Sequence, residues 1–300
     1  MTKETFINQL SQTLQSKIQN DGVQISAEVF TKNNDTRRYG LLVKKQGHDT
    51  VCPAIYVDRF YQSYLAKKIT MDEIVDRILE ILEKVRENLN YYEDFCVDPD
   101  ECRDRIFYRL ISRKLNRELL TKVPYIPFLD LAIVFGVLWH QSENGIESSL
   151  ITEELARTWE LTTAELYRCA KENTPVLFPY KKRALYQMIL DYLGKKDLPD
   201  WMPEDVPDTT PQCLTNECGV HGASVILYPG LMEKMAGQIQ TDFCILPSSI
   251  HEVILVAVDD LNDVENLSDM IQKVNHHVDS DEVLSDHPYF YDRKKKRFFY

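Results

Sequence analysis

Glycine is scarce in this chain, with 10 in 300 residues, and none falls in a G-x-G-x-x-G or G-x-x-x-x-G-K-[ST] string. Close backbone approach to a phosphate needs residues without a Cβ, so this lack argues against a nucleotide cradle made of main-chain amides. No apolar run comes near the roughly 20 residues that cross a bilayer. The longest, "FLDLAIVFGVLW" and "VILVAV", are of strand or core length. The opening "MTKETFINQL" has neither an apolar signal core nor a small-residue cleavage site. Cysteine is modest and odd in number, seven scattered residues, which is not the framework of a small disulfide-rich domain. Together these lead to the expectation of a cytoplasmic protein with no membrane association. Basic residues are also in deficit, 35 against 47 acidic ones, for a net charge of −12. A surplus of Lys and Arg is what phosphate backbones select, so the balance argues against a general nucleic-acid binder. It suits a solvated acidic surface or docking on a basic protein partner.

What is present reads as a globular α+β protein, with 44% hydrophobic and 27% charged residues. Phe6, Ile7, Leu10, Leu14 and Ile18 form a helical stripe that ends at Asp21-Gly22. "VQISAEVF" and "YGLLVKK" read as a hairpin turned by Asn33, Asn34 and Asp35, which tolerate left-handed backbone. "AIYVDRFYQSYLAKK" reads as a helix burying Ile55, Phe60 and Tyr64. Thr70 and Glu73 then cap a helix whose apolar face is Ile74, Ile78, Ile81 and Val85. "DRIFYRLIS" reads as a strand, "VPYIPF" as an extended connector because Pro124 and Pro127 lack backbone donors, and "DLAIVFGVLW" as a strand covered on both faces. Three helices follow. One opens on the capping pair Thr162 and Glu165 and is stopped at Pro175, and the last, "KKRALYQMILDYLG", ends at Gly194. After a proline-rich stretch, "QCLTN", "DFCILP" and "HEVILVAV" read as strands, "HGASVILY" as a strand or early helix, and "PGLMEKMAGQIQ" and "ENLSDMIQKVNHHV" as helices, the latter with Leu267, Ile271 and Val274 inward. "PYFYDRKKKRFFY" reads as a closing hairpin with a basic turn. The expected architecture is an N-terminal α-β-β-α-α module (1–95), a middle segment (96–194), a Pro-rich linker (195–211), and a C-terminal segment (212–300) sharing one mixed sheet with the middle.

Three constellations invite chemistry. In "LPSSIHEV", Ser248, Ser249, His251 and Glu252 lie within five positions. A catalytic triad needs an acid on the imidazole, on the side away from the serine. With 250–258 read as a strand, Glu252 points away from His251, so the acid must come from elsewhere, such as Asp130 or Asp242. No G-x-S-x-G elbow frames either serine. Ser249 as a helix N-cap with Glu252 three residues on accounts for the same residues without chemistry. Cys213, Cys218 and His221 have the spacing C-x4-C-x2-H, which lacks a fourth ligand unless Cys244 or His251 supplies it. The plain alternative is Cys213 as a small core hydrophobe, and no metal or cofactor is called for. "NHHV" places His276 and His277 at a helix C-terminus, where they complement the dipole.

The strings "VPYIPFLDLAIVF", "ELTTAELYRCAKENTP", "HGASVILYPGLMEKMAG", "ILPSSIHEVILV" and "EVLSDHPYFYDR" resemble, in order and over nearly the whole chain, a bacterial family, domain of unknown function 5688. A more distant similarity is to domain of unknown function 1444. The resemblance implies an intracellular bacterial α+β protein of accessory and mobile-element genes, without a known activity. It maps a signature onto Asn216, Gly222, Tyr228, Pro229, Gly230, Pro247, Ser248, Ser249, His251 and Glu252, and leaves Cys213, Cys218 and His221 outside it. The leading reading is a non-catalytic binding or regulatory protein whose contact residues are Asn216, Tyr228, Ser248, Ser249, His251 and Glu252. The alternative is a hydrolase with His251 as base and Ser248 or Ser249 as nucleophile.

Overall fold

A computed structural model describes residues 1–18, 22–45, 54–94, 99–142, 145–192, 210–257 and 264–300. The chain divides into two compact units, one of residues 1–32 and 36–101, the other of residues 33–35 and 102–300. The segment read as a Pro-rich linker lies outside the described residues except for 210 and 211. Gly194, read as a helix stop, also lies outside them, and so does the side chain of Val85, read as a core residue.

The first unit runs α1 (Lys3–Lys17), β1 (Val23–Thr31), β2 (Arg37–Lys45), β3 (Ala54–Tyr56), α2 (Asp58–Leu65) and α3 (Met71–Asp94), with the single turn α4 (Pro99–Cys102) following in sequence. β1, β2 and β3 form an antiparallel sheet in that order. Phe6, Ile7, Leu10 and Leu14 of α1 pack with Ile25, Leu41 and Val43 of the sheet and with Ile74, Val75 and Ile78 of α3. The turn residues Asn34 and Asp35 adopt the left-handed backbone (φ 59° and 49°) that their side chains tolerate. Two expectations need correcting. "AIYVDRFYQSYLAKK" is not one helix, because Ala54–Tyr56 pairs with Gly40–Leu42 as a third strand, a long-range contact that helical periodicity does not register. The buried side of α3 is Ile74, Val75, Ile78 and Leu82, whereas Ile81 is 37% exposed.

The second unit runs β4 (Ile106–Ser112), β5 (Tyr125–Phe128), β6 (Leu131–Ser142), β7 (Gly145–Leu150), α5 (Glu153–Thr158), α6 (Thr163–Leu177), β8 (Tyr180–Ala184), α7 (Leu185–Tyr192), β9 (Gln212–Asn216), a 3-10 segment (Gly222–Leu227), α8 (Leu231–Ile239), β10 (Phe243–Pro247), β11 (Val253–Ala257), α9 (Val264–Asn275), β12 (Tyr289–Asp292) and β13 (Arg297–Phe299). The α+β class is as expected. The expected single mixed sheet is instead two sheets, antiparallel at every pairing among the described residues. One is four-stranded around β6, which pairs with β4, β5 and β7. The other has the order β13-β12-β10-β11-β9-β8. β6 is paired along both edges, and its side chains from Leu131 to Val137 are buried on both faces of the sheet, as its continuously apolar first half requires.

"VPYIPF" is a strand, β5, rather than a connector. It pairs only with β6, and an edge position tolerates Pro127 because the outer side needs no donor. "KKRALYQMILDYLG" opens as strand β8 paired with β9 before turning helical at Leu185. "HGASVILY" takes neither offered form fully and is a 3-10 segment. α6 carries the expected capping box of Thr162 and Glu165 but runs through Pro175 to Leu177. The Thr174 hydroxyl donates to Ala170 O and accepts from Tyr108 N–H, and Asn173 Nδ2 donates to Arg103 O and Ile106 O, so side chains fasten this last turn to β4. In α9 Ile271 is buried, whereas Val274 is 43% exposed rather than inward. No helix among the described residues is long and apolar enough to cross a membrane.

Candidate functional site

β10 and β11 form a hairpin whose last pair is Pro247 with Val253, so Ser248–Glu252 is its loop. The strand therefore starts at Val253, not at Ile250, and Ser249 caps no helix. Ser249 N–H instead donates to Glu252 O (3.3 Å), and His251 N–H donates to Ser249 Oγ (3.0 Å), closing a compact turn. Ile250 N–H donates to Glu282 O (2.8 Å) and fixes the loop tip to a second segment.

A third segment, from the end of β9 to the start of the 3-10 turn, meets this loop. Thr215 Oγ1 donates to His251 O (2.7 Å), Ala223 N–H donates to Ile250 O (3.2 Å), and His221 N–H donates to His251 Nδ1 (3.2 Å). Gly222 sits at the closest approach. A Cβ there would lie 2.1 Å from Thr215 Oγ1, 2.3 Å from His251 O and 2.9 Å from Asn216 N. The two imidazoles of His221 and His251 are stacked with centroids 6.0 Å apart.

These contacts set the tautomers. Nδ1 of His251 accepts, so its proton is on Nε2, which faces Glu282 Oε1 at 3.5 Å, an ion-pair distance rather than a hydrogen bond. Arg109, on β4, places Nη1 3.0 Å from His221 Nε2. A guanidinium only donates, so His221 Nε2 accepts and its proton is on Nδ1. Burial, then the charge of Arg109, hold the His221 pKa well below its ordinary 6.5. Burial brings Arg109 down to about 10, still a cation at neutral pH, and Arg109 makes no ion pair among the described residues. Arg109 Nε and His221 Nδ1 are buried without a hydrogen-bond partner among those residues.

The two residues suspected of chemistry thus part company. His251 turns to His221 and Glu282. The Glu252 carboxylate accepts from Ser248 Oγ and from Cys213 Sγ, both at 3.3 Å. The acid beside the imidazole is Glu282, neither Asp130 nor Asp242. Asp130 accepts from Ser285 and Tyr289 hydroxyls, and Asp242 from Arg293 N–H. Asn216 is 2% exposed and staples its own loop, with Nδ2 donating to Val220 O (2.8 Å) and Oδ1 accepting from Cys218 Sγ (3.2 Å). Tyr228, also buried, donates to Phe178 O (2.6 Å). His251, with 28% of its side chain exposed, and Glu282, with 42%, face outward.

Cys213, Cys218 and His221 do not converge. Their nearest polar contacts are Glu252, Asn216 and Arg109, and no group of three His, Cys, Asp or Glu side chains suited to a metal exists among the described residues. Burial, followed by the charge of Glu252, pushes the Cys213 thiol up to about 12, far from a thiolate nucleophile. Cys213 and Cys218 do line a small cleft of about 180 Å³ with Lys181, Arg183 and Thr215.

Sequence reasoning missed Arg109 and Glu282 and considered His221 only as a metal ligand. A signal existed for Arg109, the one charged residue inside the apolar strand "IFYRLIS". Glu282 carries none, because it lies 31 positions from His251 and only the fold joins them. No curated protein and no solved structure matches the chain. The model of a family of unknown function, DUF5688, matches residues 3–293. Nearly the whole chain lies inside that match, and the protein belongs to the DUF5688 family.

Proposed function

We propose that the chain is a non-catalytic binding or regulatory protein of the cytoplasm, which recognises a basic protein partner through the Ser248–Glu252 loop and Glu282. The observation that carries this reading is that the serines and His251 Nδ1 bond to groups other than one another's catalytic atoms. Ser248 Oγ donates to Glu252, Ser249 Oγ accepts from His251 N–H, and His251 Nδ1 accepts from His221 N–H. Among the described residues no serine hydroxyl is bonded to either His251 ring nitrogen, so no nucleophile is paired with a base there. The same bonds make a stiff loop on the end of a hairpin, with His251 and the Glu282 carboxylate outward. Rigid presentation favours recognition because little conformational entropy is lost on contact. The net charge of −12 favours a basic partner and implies a salt-sensitive association.

The test uses the purified full chain as bait, with His251→Ala, Ser248→Ala and Glu282→Gln beside it. The expected result is one basic partner retained by the parent chain, weakened by salt, and lost in the variants at unchanged melting temperature. Fluorophosphonate labelling of Ser248 or Ser249 in the folded protein would overturn the reading in favour of a hydrolase.

A further inference from the structure

The loop after β4 points to a second binding site, unrelated to the hairpin loop above. Arg113, Lys114 and Arg117, with Leu120, Thr121, Tyr125 and Asp130, line a cleft of about 460 Å³. That volume is within the range of small-molecule sites, roughly 300–1,000 Å³. None of the three cations makes an ion pair among the described residues, on a chain whose net charge is −12. Three unpaired positive charges together run against that surplus of acid.

The loop is held in place. Asn116, fully buried between the cations, donates from Nδ2 to Ser112 O (2.8 Å), and Arg113 N–H donates to Asp130 O (3.2 Å). The lining's only carboxylate, Asp130, is turned to two hydroxyl donors, Tyr289 Oη at 2.6 Å and Ser285 Oγ at 3.0 Å. Tyr125, 37% exposed on the edge strand β5, adds an aromatic face.

We infer that this cleft binds an organic polyphosphate of the nucleoside di- or triphosphate class. Two guanidinium forks and an ammonium match adjacent phosphates, and the Tyr125 ring stacks on the organic part. Side-chain cations take the role that main-chain amides of a glycine-rich loop fill elsewhere.

The experiment is isothermal titration of the full chain with ATP, tripolyphosphate, orthophosphate and adenosine at fixed ionic strength. Saturable 1:1 binding of ATP is expected, with orthophosphate and adenosine each weaker by about tenfold or more, the scale of one lost charge-assisted hydrogen bond. The triple variant Arg113→Gln/Lys114→Gln/Arg117→Gln should lose ATP and tripolyphosphate alike. Tyr125→Ala should weaken ATP and leave tripolyphosphate unchanged. A charge-matched control, Lys294→Gln/Lys295→Gln/Lys296→Gln in the β12–β13 turn, should bind as the parent does. Absence of saturable ATP binding, an equal loss in the control, or an unchanged triple variant would each overturn the inference, and an indifferent Tyr125→Ala would overturn its organic half. All these side chains are exposed, so a thermal melt matching the parent is the check on folding. The outcome is separate from the partner test, because no residue of the Ser248–Glu252 loop is altered.

Discussion

Gly222→Ala is the sharpest probe of how the two histidine-bearing loops meet. The added methyl would stand 2.1 Å from Thr215 Oγ1, 2.3 Å from His251 O and 2.9 Å from Asn216 N. Two of these are backbone atoms, so no rotamer change relieves the clash, and the 251 loop must move by more than 1 Å to restore ordinary contact, by about the shortfall from roughly 3.5 Å. Overpacking of this kind costs about 1–3 kcal/mol. Displacement also breaks the Thr215 Oγ1–His251 O and Ala223 N–Ile250 O hydrogen bonds, each contributing about 1 kcal/mol. The expected loss is therefore roughly 3–5 kcal/mol, or a melting temperature lower by roughly 6–20 °C for a unit of this size. All three tryptophans (139, 159 and 201) fall in the second unit, so urea unfolding followed by tryptophan fluorescence reports that unit. Gly237→Ala is the control. It lies inside α8 with nothing within 4 Å of its Cβ position, and should stabilise by about 0.5–1 kcal/mol. A Gly222→Ala chain that unfolds at the parent's urea midpoint would refute the packing of the 221 and 251 loops.

Three further outcomes are expected. Because the His221 pKa is lowered by burial, the unfolded chain binds a proton below 6.5 that the folded chain refuses. Stability from this site is therefore full above pH 6.5 and declines as pH falls below it, by up to about 1.4 kcal/mol per pH unit. Urea midpoints between pH 7 and 5 should show this slope, and it should flatten in His221→Asn. Thr174→Val keeps shape but leaves the buried Tyr108 N–H without an acceptor, which should cost about 1–3 kcal/mol in the same urea assay; no change would mean that bond carries nothing. Burial pushes the Cys213 and Cys244 thiols up to about 12. Mass spectrometry after iodoacetamide treatment at pH 8 should find both unmodified in the folded chain and modified in urea.

The α+β class, the caps at Thr70 and Thr162, the hairpin turn at Asn34 and the apolar strand β6 were legible in the sequence because each rests on local chemistry or on a repeat of neighbouring residues. Strands β3, β5 and β8 were not, since their pairing partners lie elsewhere in the chain and short segments carry no periodicity that separates strand from helix or connector. At the candidate site the sequence alone put Ser248, Ser249, His251 and Glu252 within five positions, but its pattern reads as a strand over 250–258, whereas Ile250–Glu252 belong to the hairpin loop. Only the tertiary structure decided what each side chain meets. It put Glu282 beside His251, Cys213 beside Glu252, and the buried cation Arg109 against His221. Those pairings join residues from 31 to 112 positions apart, and a hydrogen bond depends on distance in space, which no local pattern of residues encodes.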